Sequence, residues 1–175
     1  MRRFIAVAGF LVLTATSGSA QRTVELYGGA GYTSTDLSSF YGGDLNDWNQ
    51  AWYGGHLVVV PFDFGALGVG VEAGWQYLAW FDYQGLSGNV LRELSAVNLM
   101  GLVRVPLSDV FFSELSAGVF MFDEFTDPAI GAAIGGRIPI SPAWHIPVKV
   151  RTNLVLDEDT NFVPIALELG IGHVF

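Results

Sequence analysis

Eight charged residues are spaced along this chain as a buried ionic network would require: Glu25, Glu72, Arg104, Glu114, Arg137, Lys149, Arg151 and Glu168. Four carboxylates face three guanidiniums and one ammonium. That balance matters, because an isolated charge withdrawn from water is very costly whereas a paired one is tolerated. Such a set could serve as a proton or ion path, or as the packed polar core of a fold. Other chemistry is sparse. His56, His145 and His173 fall in different segments, and none accompanies a recognisable nucleophile motif, so no catalytic group and no cofactor are expected. Asp157, Asp159, Asn161 and Glu168 reproduce most of a Ca²⁺-loop pattern. Phe162, however, stands where that loop needs glycine, Pro164 follows, and Glu168 belongs to an extended segment, so no metal site is assigned. With no cysteine, disulfides, thiolate zinc sites, catalytic thiols and lipidated cysteines are excluded together. Lys and Arg total 8 against 17 Asp and Glu, which excludes a strongly basic nucleic-acid binder.

The eight charges lie in segments whose apolar residues recur every second position. Eight such segments are read, over residues 23–33, 52–60, 67–77, 96–105, 111–121, 130–138, 146–155 and 165–175. Residues 61–65, 106–109 and 141–144 make short connections. Longer polar connections run over 34–51, 78–95, 122–129 and 156–164. Strict alternation of short and long links, with both ends on the short side, is the pattern of an up-and-down meander. In the third segment Leu67, Val69, Val71, Ala73, Trp75 and Tyr77 form one row, opposed by Gly68, Gly70, Glu72, Gly74 and Gln76. All eight charges fall in the less apolar row of their segment. The second segment is the weak case, since both of its rows are mostly apolar.

A soluble sandwich or ligand-binding barrel would turn the aliphatic rows inward and the charges outward. Two features favour the inverse. The charged rows are rich in Gly, Ala and Ser, which suit a crowded interior, and their charges cancel. Hydropathy points the same way: 51% of residues are hydrophobic and mean hydropathy is +0.42. Yet after the N-terminal region no stretch of about 18 apolar residues could form a spanning helix. In hydrocarbon every backbone group must be paired internally, so strands of about 9–11 residues can span only as a closed barrel. Aromatic girdles are expected from Phe62, Phe64, Phe111, Trp144 and Phe175 near the short turns, and from Tyr32, Trp52, Trp75, Tyr77 and Trp80 near the long loops.

The N-terminus reads as a signal peptide: Arg2 and Arg3, an apolar run from Phe4 to Leu13, then small residues ending at Ala20. Residues 1–20 are thus expected to be removed, leaving 21–175 as one exported domain. At the other end, Glu168-Leu-Gly170-Ile-Gly-His173-Val-Phe175 resembles the C-terminal assembly signal of bacterial outer-membrane β-barrels. His173 departs from the usual aromatic or aliphatic residue at its place. Together with the eight segments, the mature chain resembles the small eight-stranded outer membrane protein A and X type. The resemblance implies a closed antiparallel up-and-down transmembrane barrel in the outer membrane of a Gram-negative-type bacterium. It also implies contact with outer-membrane lipids, periplasmic termini, and recognition of Glu168, Gly170, His173 and Phe175 by the barrel-assembly machinery.

The function expected is non-enzymatic: a barrel with a packed polar interior, serving envelope structure or surface interaction, with a small-solute or ion channel as the alternative. Removing Arg2 and Arg3 leaves 17 acids against 6 bases, a charge of −11. Eleven of those acids fall in the four long connections, opposed there only by Arg92. Phe40, Tyr41, Trp48, Trp80, Phe81 and Tyr83 accompany them. These acidic, aromatic loops are the candidate site for an extracellular ligand or a cation.

Overall fold

The computed structural model describes residues 22–34, 51–64, 66–83, 89–123, 125–156 and 163–175. Eight strands run in chain order: β1 (Thr23–Ser34), β2 (Ala51–Asp63), β3 (Gly68–Tyr83), β4 (Asn89–Pro106), β5 (Phe111–Met121), β6 (Thr126–Pro139), β7 (Trp144–Val155) and β8 (Val163–Val174). Each pairs antiparallel with the next, and β8 returns to β1, so the sheet closes into a barrel without an open edge around its wall. No helix among the described residues is long and apolar enough to cross a membrane.

Closure requires the strands to tilt. The tilt is visible in the register: successive partners lead from Tyr32 near the end of β1 through Ile165, Thr152, Ala132, Leu115 and Val103 to Val69 near the start of β3. Alternation then assigns the two rows. On β8, Leu167 and Leu169 lie exposed on the outside while Ala166 and Glu168 are buried within. On β5 Leu115 is 66% exposed, whereas Glu114 and Phe120 point inward and are buried. The charged rows face the interior, the inverse of a soluble barrel.

One end carries the three short connections and both ends of the barrel sequence; we call it the turn end, and the opposite one the loop end. Two of its turns share a device. Ser108 Oγ accepts from the backbone N–H groups of Val110 and Phe111 at 3.2 and 3.0 Å, and Ser141 Oγ accepts from those of Ala143 and Trp144 at 3.4 and 3.1 Å. Each serine follows a proline by two residues, Pro106 and Pro139, which end the preceding strands.

Four strand boundaries differ from the sequence reading by three residues or more. β2 does not stop at Val60 but continues to Asp63 through a register shift between Val59 and Phe62, and Pro61 sits in that irregularity, where its missing N–H breaks no regular ladder. β6 starts at Thr126, so Asp127 is a buried strand residue rather than part of a loop. The largest difference is at residues 78–95. Pairing continues through Ala79↔Glu93 to Tyr83↔Asn89, leaving only residues 84–88 between the strands. β2 stops pairing with β3 at Trp52↔Leu78, and β5 stops pairing with β4 at Val97↔Met121. The β3–β4 hairpin therefore extends five pairs beyond its neighbours, about 17 Å at strand rise.

Candidate functional site

Among the described residues polar chemistry converges in the interior, which has three storeys. Nearest the turn end, Glu25 on β1 is a hub. Arg104 on β4 grips it with two guanidinium nitrogens, Nη1 donating to Oε1 at 3.1 Å and Nη2 to Oε2. Arg137 Nε on β6 donates to Oε1 at 3.2 Å, His145 Nε2 on β7 lies 2.8 Å from the same oxygen, and the Tyr27 hydroxyl donates to Oε2 at 2.9 Å. Arg104 also donates through Nε to Glu114 Oε1 on β5 at 2.7 Å. Its Nη2 also reaches that oxygen. Lys149 Nζ donates to Glu114 Oε2 at 3.0 Å. Phe112 floors the group, its ring centroid 4.5 Å from the Arg104 guanidinium carbon and 5.3 Å from that of Arg137.

The middle storey holds the remaining charges. Arg151 Nη1 forms a 2.6 Å pair with Glu72 Oε1, and Asn98 Nδ2 donates to the same oxygen at 2.6 Å. Arg151 Nε donates to Asn153 Oδ1 at 3.2 Å. His56 stacks on Tyr27 with centroids 5.0 Å apart, and its Nε2 stands 3.4 Å from Glu168 Oε2. Lys149 Nζ lies 3.6 Å from the same oxygen and 4.0 Å above the Tyr27 ring, linking this storey to the one below. All eight charged residues singled out in the sequence thus face one interior, and all but Arg137 are buried; Arg137, at the turn-end mouth, keeps 27% side-chain exposure.

At the loop end the interior turns apolar. Trp52, Met100, Phe120, Phe122, Ala129, Val155 and Ala166 pack into one buried cluster with Ala96. The Trp52 indole N–H donates to Gln76 Oε1 at 2.8 Å, so its polar edge is satisfied inside the wall. Trp52 was assigned from sequence to the loop-end girdle. It lies instead in the interior row with Gly54 and His56, because strand parity puts these three on one side of β2 and the glycine between the two rings adds no side chain to the bore. Outside, Tyr53 takes the girdle position, stacked on Tyr77 at 4.6 Å and edge-on to Trp75 at 5.9 Å. The turn-end aromatics Phe62, Phe64, Phe111, Trp144 and Phe175 are exposed as a girdle requires.

Glycines make this packing possible. A Cβ on Gly172 would fall within van der Waals conflict of the His145 imidazole and 2.9 Å from Glu25 Cγ. One on Gly135 would lie 2.6 Å from Lys149 Cβ and 2.8 Å from Phe112 Cζ. Large charged chains and absent ones alternate across the bore.

The C-terminal segment divides across the barrel wall. Glu168 and Gly170 are in the inward row, while His173 lies outside between Trp144, 4.5 Å away edge-on, and Phe175 at 4.3 Å. Residues 157–162 and the loop aromatics Phe40, Tyr41 and Trp48 lie outside the described residues. Trp80, Phe81 and Tyr83 belong to the β3 extension rather than to a loop. Glu168 faces the interior between His56 and Lys149. His56, His145, Tyr27 and Asn98 join the interior although the sequence reading did not place them in it, and Gln76 lies there as its row with Glu72 predicts. The available signal was parity: His145 shares a row with Lys149 and Arg151.

No protein-family profile and no curated protein matches the chain. Solved structures do. Neisserial surface protein A superposes with a TM-score of 0.54 at 15% identity, covering 91% of this chain and all of that one. The outer membrane protein AlkL gives 0.53 at 13% identity, covering 91% of this chain and 93% of that one. OprG from Pseudomonas aeruginosa gives 0.52 at 10% identity, covering 92% and 98%. These likenesses span the whole barrel: the chain has the fold of the small eight-stranded outer-membrane β-barrels.

Proposed function

We propose that this is a non-enzymatic, non-conducting outer-membrane barrel that displays an interaction surface at its loop end. The observation that carries this reading is the filled bore. The apolar cluster around Trp52 and Phe120 closes the loop end above a buried ionic column, and an eight-stranded barrel leaves room for side chains and little else. A second observation gives the reading its direction: the β3–β4 hairpin rises past its neighbours and lifts chain away from the membrane. In this reading the signal peptide has been removed, the turn end with both termini faces the periplasm, and the barrel-assembly machinery reads the segment from Glu168 to Phe175.

Planar-bilayer recording on the refolded barrel tests the closed bore. The expected result is no conductance above the bare membrane. A robust, selective single-channel current would replace this reading with the channel alternative. Surface display is tested by protease on intact cells, where cleavage is expected within residues 84–88 and not at the turn-end connections.

A further inference from the structure

Glu168 is the charge that the column leaves out. It is wholly buried, and neither of its carboxylate oxygens has a hydrogen-bond partner. The cations beside it are committed elsewhere. Lys149 stands 3.6 Å away but gives its hydrogen bond to Glu114 at 3.0 Å, and Arg151 pairs with Glu72 at 2.6 Å. Counted by storey, Glu25 and Glu114 have Arg104, Arg137 and Lys149, three cations for two carboxylates. Glu72 and Glu168 share Arg151, and Glu168 has besides only the 3.6 Å approach of a Lys149 that hydrogen-bonds Glu114. A second buried carboxylate with no hydrogen bond and no cation of its own is strongly unfavourable, and a proton relieves it. An imidazole is in place to share that proton: His56 Nε2 is 3.4 Å from Glu168 Oε2 and 3.9 Å from Glu72 Oε2.

We propose that Glu168 and His56 form a buried proton-binding site, which holds one exchangeable proton in addition to the fixed charges of the column. The proton comes from solvent and nothing leaves in exchange. Whether it rests on the carboxyl or on the imidazole, the middle storey becomes neutral. The groups that face the pair are Tyr27 from β1, Glu72 from β3, Asn98 from β4 through its bond to Glu72, Glu114 from β5, and Lys149 and Arg151 from β7. β6 contributes Ala133 and Gly135, the register partners of Arg151 and Lys149, which do not titrate.

The consequence is a sign. Above about pH 6.5, where free histidine and glutamate have both lost their protons, the folded chain keeps one that the unfolded chain lacks. Stability then falls as pH rises, by up to about tenfold in the unfolding equilibrium per pH unit. The test is reversible urea unfolding of the full chain in phospholipid vesicles across that range, for the natural protein and for Glu168→Gln, which needs no proton. The natural protein is expected to lose stability relative to the variant by up to that factor per unit. Parallel profiles would overturn the proposal. If Glu168→Gln does not fold, spectroscopy of the natural protein decides. At neutral pH either the infrared carbonyl band of a neutral glutamic acid or the ¹⁵N signature of a His56 imidazolium is expected, and it should vanish in alkali. Carboxylates alone together with a neutral His56 would sink it.

Discussion

The two ends of the bore solve the same packing problem with opposite chemistry. At the turn end, side chains from β1, β4, β5, β6 and β7 meet through charge, with Glu25 accepting from Arg104, Arg137 and Tyr27 and touching His145. At the loop end, Trp52, Met100, Phe120 and Phe122 meet through apolar contact, with the Trp52–Gln76 hydrogen bond set into the cluster's wall. The ionic region specifies which strands face one another, because each donor must reach its own acceptor. The apolar cap closes the bore with shapes that tolerate some repacking. Register is thus fixed at one end and the seal is made at the other.

This contrast can be broken from either side. The largest effect is expected at the hub: Glu25→Ala leaves Arg104 and Arg137 buried without their carboxylate and should cost about 3–5 kcal/mol. Urea unfolding in lipid vesicles measures it, and a loss below about 1 kcal/mol would mean that water or Glu114 takes over the role. Phe120→Ala, at the cap, should cost about 3 kcal/mol through the cavity it leaves. Because the cap is the seal, it should also raise small-ion leakage from barrel-containing vesicles, whereas Glu25→Ala is expected to leave the seal intact. Trp52→Phe keeps the cap's volume approximately but orphans Gln76 Oε1, for an expected loss of about 1–2 kcal/mol. Arg137→Gln should have the smallest effect, about 1 kcal/mol or less, since Arg137 is partly solvated at the mouth. Its contribution should shrink at high salt while that of Arg104, buried in the same hub, does not.

Much of this was legible in the sequence because a barrel wall has only two sides. Period-two alternation gives the strand number and places Glu72, Glu114 and Glu168 in one row before any coordinates are known. Partners were not legible, because they depend on the stagger of one strand against the next. Arg104 reaches Glu25, 79 residues away in sequence, by a register that no single segment encodes. Trp52 illustrates a different limit. A tryptophan at the end of a strand fits a girdle or a narrow bore equally well by composition, and β2 has two apolar rows to choose from. The extension of β3 and β4 escaped for a third reason: residues 78–83 and 89–95 lack the apolar–polar alternation that announces a strand elsewhere, and the hairpin continues there through backbone pairing.

The hub also has a bearing on time. Its members lie far apart in the chain, with Glu25 separated from Arg137 by 112 residues and from His145 by 120. Those contacts cannot form until nearly the whole sequence has been threaded and the two ends of the sheet have met, so their loop-closure cost comes late. A bond made last is absent from the transition state, and its removal accelerates unfolding while leaving the folding rate almost untouched. The Glu25 cluster is therefore a latch: it does little to guide the barrel shut, and it governs how long a closed barrel stays closed.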